Sequence, residues 1–181
     1  MLKLTIPDFE GWDEQNGMFI YVKETQLQLE HSLVSVSKWE SKWKKPFISK
    51  DKKTQEETID YIKCMTLTQN VNPLVYSAIT PPVLKEIMDY IEDSMTATTF
   101  SDKGKAGKAG KEIITSEIIY YWMIANNIPF ECQKWHLNRL LTLIKVCSIK
   151  NNPGKKMSER EILSRNKALN EARRARLHSK G

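Results

Sequence analysis

Residues 131–147, ECQKWHLNRLLTLIKVC, set two cysteines, a histidine and an arginine among leucines and isoleucines. Cys132 and His136 are four apart, the spacing at which two side chains on one helix face can reach one metal ion. A zinc site needs three or four donors within about 2.3 Å. Cys147 follows His136 by about 16 Å of helix at 1.5 Å per residue, so it cannot complete the set. His31, His178 and Cys64 have no complementary spacing. As a nucleophile pair, Cys132 and His136 lack a glycine-rich oxyanion turn and an orienting acid nearby. The two cysteines are too far apart on one helix for a disulfide.

Projected at 100° per residue, Trp135, Cys132, Leu143, His136, Cys147, Leu140, Ile144, Leu137 and Leu141 fill an arc of roughly 240°. A helix that apolar needs cover from several neighbours. The sequence therefore predicts one helix from about Phe130 or Glu131, with thiols and imidazole as buried filling. His136 and Arg139 lie inside the arc and need partners there. No catalytic residue, metal or cofactor is expected.

Other motifs fall short of chemistry as well. KGKAGKAGK resembles a phosphate-binding loop, but Ala109 stands where the second glycine belongs and Glu112 follows Gly110-Lys111 where Ser or Thr is needed. Its lysines, Lys105 and Lys108 among them, are read as surface contacts for an acidic partner or phosphates. Trp39 and Trp43 could stack on bases or a sugar, yet their four-residue spacing beside Leu33 and Val36 reads as core. Lys38, Lys42, Lys44 and Lys45 then form the solvated face of the same helix. The acid pairs Glu56-Glu57 and Glu92-Asp93 fall at helix ends, where capping and solvation account for them.

The elements that must position these residues follow from local pattern. MLKLTIP and MFIYVKETQLQL are β-rich and flank DFEGWDEQNG, whose Gly, Asp and Asn favour a turn. Residues 2–6 and 18–29 are predicted to be the strands of a small hairpin. Leu33, Val36, Trp39 and Trp43 mark a helix ending before Pro46. Thr54-Gln-Glu-Glu57 is a capping box opening a helix with Ile59, Ile62 and Met65. Asn72-Pro73 and Thr80-Pro81 place a capping residue before a first-position proline. They start a short helical turn and a helix through Ile91. Residues 101–112, glycine- and lysine-rich, read as a flexible loop. Helical pattern resumes near Ile113 and runs to Ala125, with IIYYWMIA as a core helix candidate, before Asn126-Asn127-Ile128-Pro129 breaks it. NNPGKK ends the core, and Ser158-Glu-Arg-Glu161 opens a last, thinly amphipathic helix.

The fold class expected is mainly α (α+β). A β element over 1–30 packs on a helical core over 31–152, followed by a basic helical tail over 153–181. The tail carries the charge. Residues 1–154 hold 19 basic and 19 acidic side chains, whereas residues 155–181 hold nine and three, giving the chain its net +6. Arg160, Arg165, Lys167, Arg173, Arg174 and Arg176 are the tail's partner-binding candidates. Their interleaved glutamates and the absence of a stacking aromatic favour protein over nucleic acid. No apolar run approaches the roughly 18 residues of a membrane span. The N-terminus has no signal-peptide segment, so a cytoplasmic location is expected. Three cysteines without a CxxC pair fit reduced thiols.

Taken together, LEHSLVSVSKWESKWKKPF, YIKCMT, EIIYYWMIANNIPFECQKWHLNRLLTLIKVC and KKMSEREILSRNKALNEARR resemble tail-module proteins of long-tailed bacteriophages and prophages, of the tail assembly chaperone type. The similarity covers nearly the whole chain. It implies a non-enzymatic role in the host cytoplasm. Copies of such a protein coat the tape-measure protein while tail-tube subunits polymerise, and self-association is compatible with this. The alternatives are a virion structural component, such as a connector or tail-completion subunit, and a nucleic-acid-binding accessory protein using the basic tail.

Overall fold

Alternating Leu, Ile and polar residues build the first element, a two-stranded ribbon. Strand β1 (Leu2–Ile6) pairs antiparallel with β4 (Thr25–Leu29), and β2 (Phe9–Asp13) with β3 (Met18–Val22). The register is continuous. Ile6 faces Thr25 and Phe9 faces Val22, so only Pro7-Asp8 and Lys23-Glu24 drop out of the ladder. Pro7 has no N–H to donate to it. The inward positions change parity there. Leu4 and Ile6 are buried on the first half, and Gly11 turns inward on the second. A Cβ on Gly11 would sit 3.0 Å from the Phe9 ring and 3.3 Å from Leu74, so glycine lets the ribbon lie close.

The predicted strands are thus present with two corrections. Phe9–Asp13, read as turn, is strand, and residues 18–29 form two strands rather than one. Phe9 and Trp12 favour the pleated surface, and Gly17, at φ 62°, lies in the left-handed region at the tip.

The computed structural model describes residues 1–14, 17–49, 51–100 and 113–151, together with 163, 164, 166, 167, 170, 171, 173 and 174. Among these the fold is mainly α, an α+β arrangement with the small N-terminal β element. The chain divides into two units, Met1–Val146 and Cys147–Gly181.

Helix α1 (Leu33–Trp43) starts where Ser32 accepts the Ser35 N–H and ends at Lys44, which takes a left-handed φ of 55° two residues before Pro46. Leu33, Val36 and Trp39 are buried at the predicted period. Helix α2 (Gln55–Met65) has the full capping box between Thr54 and Glu57. A 3₁₀ helix (Pro73–Ala78) follows Asn72, whose side chain accepts the Leu74 N–H. Helix α3 (Pro81–Glu92) has its proline start but no side-chain cap from Thr80.

Helix α4 (Ser116–Ala125) departs from expectation. It buries Ser116, Ile119 and Met123 against the body, while Tyr121 and Ile124 are exposed. Its apolar composition suits a core helix, and α1 packs against it, yet Tyr121 and Ile124 face outward.

The predicted helix from Phe130 or Glu131 is also corrected. A second 3₁₀ helix (Phe130–Lys134) stops at Trp135, and α5 (Leu137–Asn151) begins after His136. His136 instead forms a β-bridge with Ser32, and the Leu137 N–H donates to the His31 carbonyl at 2.7 Å. Within α5 the buried stripe is Leu137, Leu140 and Ile144, far narrower than the projected arc.

The core joins ribbon and helices through Leu27, Leu29, Leu33, Val36, Ile62, Met65, Ile87, Ile119, Met123 and Leu140, each at most 1% exposed. Burying a side chain of this size contributes about 1.5–3 kcal/mol.

Candidate functional site

His31, His136, Tyr61, Tyr90 and Glu30 converge where β4, α1, α2, α3 and the start of α5 meet. His31 ends the strand-to-helix link and His136 precedes α5, and their rings cross edge to face at 5.0 Å. His31 Nδ1 shares a 2.6 Å hydrogen bond with Tyr61 Oη. His136 Nε2 lies 3.0 Å from the Tyr90 carbonyl. A carbonyl only accepts, so Nε2 carries the proton and donates. Nδ1 of neutral His136 is then a bare lone pair, buried and without a hydrogen-bond partner among the described residues. The Tyr90 hydroxyl donates to Glu30 Oε1 at 2.6 Å.

Burial keeps the histidines and tyrosines of this cluster uncharged, while Glu30 also pairs with the N-terminal ammonium at 3.1 Å. Burial, with the neighbouring His136 adding to it, lowers the His31 pKa to about 3. Burial lowers that of His136, against the opposing Tyr90 carbonyl. Burial also pushes the Tyr61 phenol well above its ordinary range. A solvent-open acid–base pair near neutrality is the opposite arrangement. This is a packed polar seam whose imidazoles and phenols are held in their uncharged forms.

Cys132 is buried in the second 3₁₀ helix, and Cys147 lies in the second unit, on the last turns of α5. Cys64 is half-buried, its thiol pushed up chiefly by burial. Among the described residues no three His, Cys, Asp or Glu side chains are placed to hold a metal ion. Arg139, placed in the apolar arc by the projection, is exposed and stacks 4.4 Å from the Trp135 ring centroid. It lies opposite the buried stripe of Leu137, Leu140 and Ile144 on α5.

Two further polar positions hold helix ends. Glu40, 8% exposed on α1, accepts the Phe47 N–H at 2.7 Å through Oε1 and the Ser116 N–H at 2.8 Å through Oε2. It satisfies a free donor in the first turn of α4, where Thr115 supplies no side-chain cap. Asn138 donates to the Ile91 and Asp93 carbonyls at 3.0 and 2.7 Å, closing the C-terminal end of α3.

The tryptophans of α1 are structural in the same way. The Trp39 indole N–H donates to the Glu57 carbonyl and that of Trp43 to Asp60, each at 2.9 Å. The exposed Lys42 and Lys45 pair with Asp60 and Glu57 across the α1–α2 seam. Burial pushes the Asp60 carboxyl up, but hydrogen bonds from Lys42 and Trp43 outweigh it and hold the pKa low.

The surface carries apolar features of its own. On α4 Tyr121 is 65% and Ile124 60% exposed, and Phe130 beyond the helix is 53% exposed. On the outer half of the ribbon Trp12 and Phe19 stack edge to face at 5.0 Å, at 48% and 70% exposure. A groove of about 830 Å³ runs from Trp12 and Ile20 to Val71, Pro73 and Leu74. Trp12 fell inside a segment that the sequence reading assigned to turn, and Phe19 inside a predicted strand whose pairing with Trp12 it did not foresee.

Of the candidate contact residues, Lys167, Arg173 and Arg174 have helical backbone and are exposed. Lys105, Lys108, Arg160, Arg165 and Arg176 lie outside the described residues, as do the 101–112 loop and the Ser158–Glu161 capping box. No described helix is long and apolar enough to cross a membrane. Comparison with protein-family models, curated proteins and solved structures finds no match to this chain.

Proposed function

We propose that this protein is a non-enzymatic assembly factor of the phage tail assembly chaperone type, binding the tape-measure protein in the host cytoplasm. The observation that carries the reading is the solvent face of α4. Glu117, Tyr121 and Ile124 recur at helical spacing on that face, and its apolar members are among the most exposed large side chains of the first unit. Exposed apolar surface of this kind marks a protein contact. A face of aromatic and branched side chains suits a long helical client, whose own apolar stripe supplies anchors at three- and four-residue steps. The resemblance of the LEHSLVSVSKWESKWKKPF and WHLNRLLTLI strings to tail-module proteins names that client. The neutral, sealed histidine seam supports a role without catalysis.

Affinity capture of the tape-measure protein from cells co-expressing both chains tests the reading. The double variant Y121E/I124E is expected to lose capture while its melting temperature stays within a few degrees of the parent's. Undiminished capture by that variant would remove α4 from the interface. Recovery of this chain from purified virions at fixed copy number would replace the chaperone reading with a structural one.

A further inference from the structure

The ribbon's outer half and the C-terminal segment are complementary in charge and chemistry. Residues 8–24 hold Asp8, Glu10, Asp13, Glu14 and Glu24 against Lys23 alone, a net −4, and residues 155–181 hold the chain's net +6. Asp8, Glu10, Glu14 and Glu24 are exposed. Between them stand Trp12 and Phe19 in edge-to-face contact, together with Tyr21, 61% exposed, whose hydroxyl donates to Asp8. We infer that this acidic aromatic face docks the basic segment 155–181 of a second copy of the chain.

The chemistry of each side fits the other. Guanidinium groups bind over indole and phenyl faces and pair with carboxylates, and the segment supplies Arg160, Arg165, Arg173, Arg174 and Arg176. The groove beside Trp12 offers Val71, Pro73 and Leu74 to an apolar anchor such as Leu163 or Leu169. The segment's length matches the roughly 20–30 residues per side of a standard interface. Such a contact uses different surfaces on the two copies, so it propagates head to tail. It involves neither the α4 face nor the tape-measure protein, so it stands or falls apart from the proposed function.

Sedimentation velocity of the full chain over a range of concentrations, at low and high salt, reads this directly. Reversible association at low salt, weakened at high salt, is expected because the attraction is between exposed charges. E10K/E14K and R173E/R174E, all at exposed positions, should each weaken association by about tenfold or more. Mixing the two should restore one contact per pair, since the unaltered segment of E10K/E14K then meets the unaltered ribbon of R173E/R174E. W12S/F19S should weaken it without changing net charge. A labelled 155–181 peptide should bind the parent chain and bind E10K/E14K more weakly. A monomer at every salt concentration, including one whose own segment covers its ribbon, overturns the inference. So does association that both charge variants leave unchanged.

Discussion

His136 meets His31 edge to face, ring centroids 5.0 Å apart, and joins the start of α5 to the strand-to-helix link before α1. Each imidazole is neutral in the fold and has its own partner, the Tyr61 hydroxyl for His31 and the Tyr90 carbonyl for His136. Were Nδ1 of His136 to take a second proton, the new N–H would find no acceptor among the described residues.

Stability should therefore fall as pH drops below about 6.5, the ordinary histidine value. In that range the unfolded chain takes up protons that the fold refuses, so the unfolding free energy rises with pH. The window for His31 runs from 6.5 down to about 3. Each histidine contributes a slope of at most about 1.4 kcal/mol per pH unit. Urea melts between pH 4 and 7 check this. H31Q and H136Q should each be less stable at pH 7 yet flatten the slope, and an unchanged slope in both would rule the pair out as its source.

Glu40 reaches across from α1 to the first turn of α4. Substituting alanine leaves the Ser116 and Phe47 N–H groups without this acceptor. A loss of about 1–3 kcal/mol is expected, with faster amide exchange over the first turn of α4 than over α1. Glu40→Gln should recover part of the loss, since one side-chain oxygen still accepts.

The two tryptophans of α1 should separate in cost. Trp39 is 1% exposed and hydrogen-bonded to the Glu57 carbonyl, so W39A should cost about 3–5 kcal/mol. Trp43 is half-buried against Asp60, and W43F should cost about 1 kcal/mol. Chemical denaturation of both variants gives the comparison, and equal costs would contradict the burial difference.

Native thiol labelling provides a further check. Cys132 is 6% exposed, so it should react only as fast as the fold opens. Cys64, half-buried with a raised thiol pKa, should react slowly at neutral pH and faster as pH rises. Added zinc should leave the melting temperature where it was. A rise that C132S and H136Q both remove would establish a metal site at those residues.

Local chemistry determined much of this architecture before any coordinates. The Leu33, Val36, Trp39 spacing of α1, the Thr54–Glu57 capping box and the Asn72-Pro73 start are realised as written, because each depends on residues within one or two turns. Strand character over 2–6 and the Leu27, Leu29 alternation were legible, whereas the partner strand holding Trp12 was hidden by its turn-forming neighbours.

Tertiary structure alone decided the rest. A helical projection can count the apolar residues of α4, yet which face is covered depends on where α1 runs, and Tyr121 and Ile124 were left outside. The same projection ran one helix through His136, whereas the Ser32 bridge and the His31 carbonyl interrupt it there. It also placed Arg139 inside, whereas the narrow buried stripe of α5 leaves it outside. Periodicity records what a segment could bury. Only the distant strand, carboxylate or imidazole that arrives beside it settles what is buried, which N–H is satisfied and which proton is held.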